Sequence, residues 1–160
     1  LSELEMNFLS KTLIFMILLT AVVCPFTLAA QDEEFKTIKL DRFIEKEKKA
    51  VDSAKKKLII MAAPIRFEAK MKRFPEERNM SYVYTAMELA GINPMPEVSH
   101  RMFIESVEGR IIPVYVEKQT VAKLKTGLNQ DEKAQFIGYH VYSYAKGPAI
   151  LIVDFFSFSR

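Results

Sequence analysis

Residues 136–156 read FIGYHVYSYAKGPAILIVDFF, and no other stretch of the 160-residue chain shows as much order. Apolar and aromatic runs flank Ala145-Lys146-Gly147-Pro148, which has the composition of a turn, so Lys133–Tyr144 and Ala149–Phe158 are expected to form a β-hairpin. Alternation puts Ile137, Tyr139, Val141 and Ser143 on one face of the first strand and Gly138, His140, Tyr142 and Tyr144 on the other. The first set is expected to line an interior and the second to point out. The last strand is apolar on both sides, with Ala149, Leu151, Val153 and Phe155 against Ile150, Ile152, Asp154, Phe156 and Phe158. Such a strand needs a cover, and the segment from Gln31 to Lys57 is the available one.

Upstream, Thr120–Leu128 reads as a short amphipathic helix through Val121, Leu124 and Leu128. Arg101–Val107 and Arg110–Glu117 flank Glu108-Gly109 and read as a hairpin whose glycine supplies a positive φ, with Pro113 implying an edge or a bulge. Ser81 as cap and Gly91 as the residue past the end bound another helix, which Asn93-Pro94-Met95-Pro96 cannot continue. Pro75–Glu77 reads as a turn before it, and the Asn79-Met80-Ser81 glycosylation triplet is too common to inform. Leu58–Ala63 is continuously apolar, and after Pro64 the chain alternates Ile65, Phe67, Ala69 and Met71 with charged residues, so a bent strand is expected. Gln31–Lys57 reads as a helical arm, with Leu40, Ile44, Val51, Ala54 and Leu58 at helical spacing, Phe43 beside them and Glu47 interrupting. Packing on the main body is the simplest use of that arm; a dimerising seam and a basic membrane-surface helix are the alternatives.

A strand, a hairpin, a helix and a final hairpin follow one another in the order of the OB-fold, which the chain resembles in architecture over Leu58–Phe158. The resemblance implies an α+β, mainly β protein: a five-stranded OB-like barrel over 58–160 with the helical arm of 31–57 before it. The long connection Phe74–Ser99, which holds its own helix, departs from the pattern and leaves an open antiparallel sheet with helices on one face as the alternative. OB barrels bind ligands on strands two and three and on neighbouring loops. The resemblance therefore implies a face drawing on Arg101, Phe103, Glu105, Arg110, Tyr115, Lys118 and Lys146.

The first thirty residues belong to a different kind of segment. Lys11, the apolar run Leu13–Val23, Pro25 and Thr27-Leu28-Ala29-Ala30 have the layout of a secretory signal peptide beginning at Met6. Export to the periplasm or the medium is expected. Leu13–Ala30 reaches the lower length for a membrane anchor, and Cys24 is an alternative lipidation site, though Val23 stands where a lipoprotein signal needs a small residue. Contact with a membrane is expected only in those two cases. Cleavage after Ala29 or Ala30 removes the single cysteine, and with it a thiol nucleophile, a cysteine zinc site or a disulfide. From Gln31 on, 22 Lys plus Arg face 18 Asp plus Glu, a net of +4 that suits an anionic partner but is also that of an ordinary solvated surface.

Catalytic patterns are sparse. His100 and His140 stand outside any HExxH spacing, Ser81, Ser99 and Ser106 lack a GxSxG context, and five glycines make no phosphate loop. No cofactor is expected, and the leading reading is an exported, non-catalytic binding or envelope-interaction module. A structural protein oligomerising through the helical arm and a small hydrolytic or metal-dependent enzyme are the alternatives. Export favours an oligosaccharide, an envelope polymer or a protein as partner over nucleic acid. His140, Tyr142 and Tyr144 are expected to form a packing face under the N-terminal helix, with a ligand platform as the competing reading.

Overall fold

Alternating apolar residues need a closed interior, and the computed structural model, which describes residues 35–158, shows that interior to be a barrel. The elements are β1 (Lys36–Thr37), α1 (Leu40–Ala54), β2 (Leu58–Glu77), α2 (Ser81–Leu89), β3 (Val98–Glu105), β4 (Ile111–Glu117), α3 (Lys118–Gly127), β5 (Lys133–Tyr144) and β6 (Gly147–Ser157). The signal-peptide segment and Cys24 lie outside the described residues.

The strands run in the order β1-β2-β3-β4-β6-β5, and β5 pairs back onto β2 from Leu58↔Ser143 to Lys70↔Lys133. Five strands therefore close into an OB-like barrel, and the open sheet is ruled out. β4 and β6 are parallel through Tyr115↔Leu151 and Val116↔Ile152, while the other barrel pairs are antiparallel. Pro113, paired across to Phe103, lies before the β4–β6 contact begins, so its missing N–H breaks no bond to β6.

β2 serves two partners by bending. Its first part pairs with β5 and its last part with β3, with irregularities between Ile59 and Ala63, Met71 and Arg73, and Arg73 and Glu76. The bend expected at Pro64 comes just before it. Pro75, expected in a turn, sits inside the strand at the last irregularity.

Inside, Ile65, Phe67, Met71, Met102, Ile104, Val114, Phe136, Ile150 and Ile152 form one buried cluster. A helix closes each end. Leu40 and Ile44 of α1 and Val121 and Leu124 of α3 belong to the same cluster, and burying such side chains stabilises by roughly 1.5–3 kcal/mol each. α1 is held at the end where the β3–β4 turn lies: Asp41 accepts from Ser106 and, at 3.2 Å, from the Glu108 N–H, and Arg110 meets Glu45 at 2.5 Å. The expected arm is thus a stopper whose apolar stripe is used within its own barrel. Its helix starts at Leu40, later than Gln31, and Lys36–Thr37 instead pairs in parallel with Ile65 and Arg66.

The cover over the outer side of β5 and β6 is α2, not the N-terminal segment. Val83, Ala86 and Met87 pack with Val141, Tyr142, Ala149 and Leu151 in a second buried cluster. The Tyr84 hydroxyl fastens α2 by accepting from the Val98 N–H at 2.8 Å and donating to its carbonyl at 2.9 Å. Ser81 does not cap this helix; its own N–H donates to the Asn79 side chain at 3.1 Å.

The face assignment of β5 reverses over its first half. Phe136, paired with Phe155, and His140, paired with Ile150, share the inner side, whereas Tyr139 pairs with Leu151 in the outer cluster. Between His140 and Tyr142 the register slips, leaving Val141 unpaired, so Val141 and Tyr142 both join the outer cluster and Ser143 turns in. The extra residue Val141 breaks the alternation of β5 once, and the second slip, opposite Ile137 and Gly138, belongs to β6 at Val153. Gly138 marks the tightest point, because a Cβ there would stand 2.0 Å from the Leu151 carbonyl oxygen.

Candidate ligand-binding face

The slip at Val141 brings tyrosines from separate strands onto one outer surface. Tyr142 leans across β6 at Ala149, a residue small enough to be crossed, and its hydroxyl meets that of Tyr115 on β4 at 2.7 Å. Tyr144 lies 5.8 Å from Tyr142 by ring centroids, and Tyr82 of α2 meets Tyr142 edge-on at 5.2 Å. Aromatic pairs at such separations attract through their quadrupoles.

Cations flank the rings. On β3, Arg101 pairs across from Tyr115 and its guanidinium lies 5.3 Å from the centre of the Phe103 ring, while Arg73 of β2 approaches the same ring at 5.5 Å. Lys57 sits 4.1 Å from the centre of Tyr82. Each arrangement lets an aromatic face share a positive charge.

The tyrosines are neutral hydrogen-bonding groups. Burial first, then the Tyr115 hydroxyl, pushes Tyr142 well above the ordinary phenol range. Burial also raises Tyr144, as does Tyr115, with Arg101 pulling the other way. Neither ionises at ordinary pH, so each offers an aromatic ring and a hydroxyl rather than a charge.

Of the residues singled out from sequence, Arg101, Phe103, Tyr115, Tyr142 and Tyr144 come together. Tyr142 is only 4% exposed, so it is the floor of this face, while Tyr115, Tyr144, Arg101 and Phe103 are half-buried around it. Arg110 is removed to the α1 latch, Lys118 is exposed and paired with Glu97 at 2.6 Å, and Lys146 is exposed in the β5–β6 turn. Glu105 meets Lys72 at 3.0 Å. Arg73, Tyr82 and Lys57 were missed. Nothing in a one-dimensional pattern says that a bent strand and a covering helix return to the same surface.

His140 is 1% exposed and belongs to a different place, beneath α1. Its ring meets Phe43 edge-on at 4.9 Å, and Nε2 lies 3.1 Å from the Tyr142 carbonyl and 2.9 Å from Ser143 Oγ. Ser143 in turn donates to Glu47 at 2.7 Å. A consistent set of protons places hydrogen on Nε2, donating to the carbonyl and to the serine oxygen. Desolvation holds this histidine below its ordinary pKa, with Glu47 and the Tyr142 carbonyl opposing and Lys46 assisting. Serine, histidine and glutamate are the components of a nucleophilic triad, and here all three are buried at the contact between α1 and β5. Glu47, which interrupts the apolar stripe of α1, is there to complete this network. Among the described residues no cluster of three or more His, Cys, Asp or Glu is arranged to hold a metal ion.

The chain matches no protein-family model and no curated protein, so its function has to be read from this geometry.

Proposed function

We propose that the chain is an exported, non-catalytic binding module whose outer barrel face takes an acidic oligosaccharide, such as a segment of an envelope polymer. The observation that supports this most directly is the joining of Tyr115, Tyr144 and Phe103 with Arg101 and Arg73 on one surface of β2–β5. Sugar rings stack on aromatic faces, their hydroxyls bond to neutral phenols, and guanidinium groups hold carboxylates through paired N–H donors. It is also the strand surface on which OB-like barrels carry ligands. Export rests on the sequence pattern of Lys11 and Leu13–Ala30. The oligomerising alternative loses support because Leu40, Ile44 and Val51 of α1 are buried against the chain's own barrel.

Calorimetric titration with uronic-acid oligosaccharides tests the reading. Arg101→Ala and Tyr144→Ala are each expected to weaken binding by about tenfold or more, the loss of roughly 1.4 kcal/mol or more. Lys118→Ala, away from the face, should leave it unchanged. Absence of binding to acidic oligosaccharides, or an equal loss in all three variants, would sink the proposal.

A further inference from the structure

Beside the sugar face, and meeting it at Tyr82 and Lys57, the same outer side carries a second patch. α1 ends at Ala54, Lys55 turns the chain with φ 53, and Lys55, Lys56 and Lys57 lead exposed into β2. Just beyond, Ile59 is 37% and Met61 85% exposed, and on α2 Tyr82 is 40% and Leu89 67% exposed. Three contacts make these residues neighbours. Lys57 lies over Tyr82 at 4.1 Å; Ile59 stands opposite Tyr142, whose ring Tyr82 meets at 5.2 Å; and the Ala62 N–H donates to the Ala90 carbonyl at 2.9 Å, joining the backbone next to Met61 to that next to Leu89.

We propose that this patch docks the folded domain on the surface of an anionic lipid bilayer, with Ile59, Met61, Tyr82 and Leu89 entering the headgroup region and Lys55–Lys57 meeting lipid phosphates. Charge complementarity selects the occupant. Toward its C-terminal half the exposed side of α1 adds Lys46, Lys48 and Lys49 to the lysine run, whereas Glu47 is buried. The exposed carboxylates nearby are Glu45, engaged by Arg110, together with Asp52 and Glu88. A stable protein interface buries about 800 Å² on each partner, more than four side chains supply. Attachment to a bilayer surface needs only a few apolar groups joined to basic ones. No helix among the described residues is long and apolar enough to cross a membrane, and the contact proposed here is peripheral. It is made by the folded domain and does not depend on the apolar segment at 13–30.

An environment-sensitive fluorophore placed on the full chain tests this. The label is attached at Leu89→Cys, or at Val107→Cys as a control, in a Cys24→Ser background that leaves one thiol. Val107 is 79% exposed and lies in the β3–β4 turn at the opposite, Asp41 end of α1. With vesicles of phosphatidylglycerol and phosphatidylcholine, emission at position 89 is expected to rise several-fold and shift to the blue, while position 107 stays unchanged. Charge reversal of Lys55, Lys56 and Lys57 to Glu, or high salt, should remove the response, and vesicles of phosphatidylcholine alone should give little. An equal response at both positions, or silence at 89, overturns the proposal. So does a change at 89 that follows protein concentration without vesicles, which would assign the patch to a second copy of the chain.

Discussion

The inside and the outside of this barrel are made from the same strands, yet they are finished differently. The interior is almost wholly aliphatic and phenylalanine, and a helix stoppers each end. Its buried polar side chains are paired: Glu47, Ser143 and His140 in one network, Ser106 with Asp41, and Thr120 with the Val153 carbonyl. The outer surface of β3–β6 is built from tyrosines, each with a hydroxyl to place, and its cover is the nine-residue α2. A dry interior must be complete to be stable, whereas a tyrosine surface can be left partly open because its rings stack and its hydroxyls accept water or ligand equally. The difference separates the part of the molecule that holds the fold from the part on which the proposed ligand would sit.

Gly138 offers the strongest way to break that division, because it is where inside and outside are pressed closest. In Gly138→Ala the new methyl meets the Leu151 carbonyl, which belongs to backbone and cannot swing away. Overpacking typically costs 1–3 kcal/mol, and a backbone clash lies at the upper end, about 3 kcal/mol. Denaturant unfolding should show that loss. A variant as stable as the parent would mean that the β5–β6 bulge is soft and that the tyrosine surface is not fixed by the barrel beneath it.

Much of this division was legible in the sequence and some was not, for physical reasons. Strand and helix periods gave the order of elements, since Ile65, Phe67, Ala69 and Met71 do alternate into the core as their pattern implies. That order pointed to a barrel and left an open sheet as the alternative, which the pairing of β5 with β2 excludes. The face assignment of β5 failed over its first half because alternation assumes an unbroken strand, and the extra residue Val141 shifts its phase. Gly138 was the available signal, as an isolated glycine within a strand marks a bulge or a close approach. The candidate face was half legible: Arg101, Phe103, Tyr115 and Tyr144 converge, whereas Arg110 and Lys118 are drawn off by carboxylates distant in sequence. Glu47 read as a flaw in the α1 stripe because its partners, Ser143 and His140, lie nearly a hundred residues away.

The buried polar network gives an intermediate test, confined to the inside. His140 is neutral in the folded protein because desolvation depresses its pKa below the usual value of about 6.5, while in the unfolded chain it titrates normally. Between those two values the unfolded state binds more protons, so stability falls as pH drops below about 6.5, by at most about 1.4 kcal/mol per pH unit, and levels off below the folded pKa. Above pH 6.5 this residue contributes no slope. The charged groups facing it are Glu47 and Lys46 of α1. Thermal midpoints at pH 7.5 and pH 5 should therefore diverge more in the parent than in His140→Gln. Identical differences in the two proteins would show that acid sensitivity arises elsewhere.

The smallest expected effect falls on the outside and sharpens the comparison most. Tyr142 is nearly buried, and its hydroxyl is held by Tyr115 at 2.7 Å. Tyr142→Phe keeps the ring on Tyr82 and Tyr144 and removes that one bond, so it should cost about 1 kcal/mol in stability. If Tyr142 is only the floor of the face, acidic oligosaccharides should bind the variant nearly as well as the parent, because Tyr115 gains a free hydroxyl to offer. Tyr144→Phe, closer to solvent, should reverse the balance, with little change in melting and a measurable loss of binding. Should Tyr142→Phe lose binding and Tyr144→Phe not, the hydroxyl pair would itself be the recognition element, and the ligand would have to reach beneath the edge of α2.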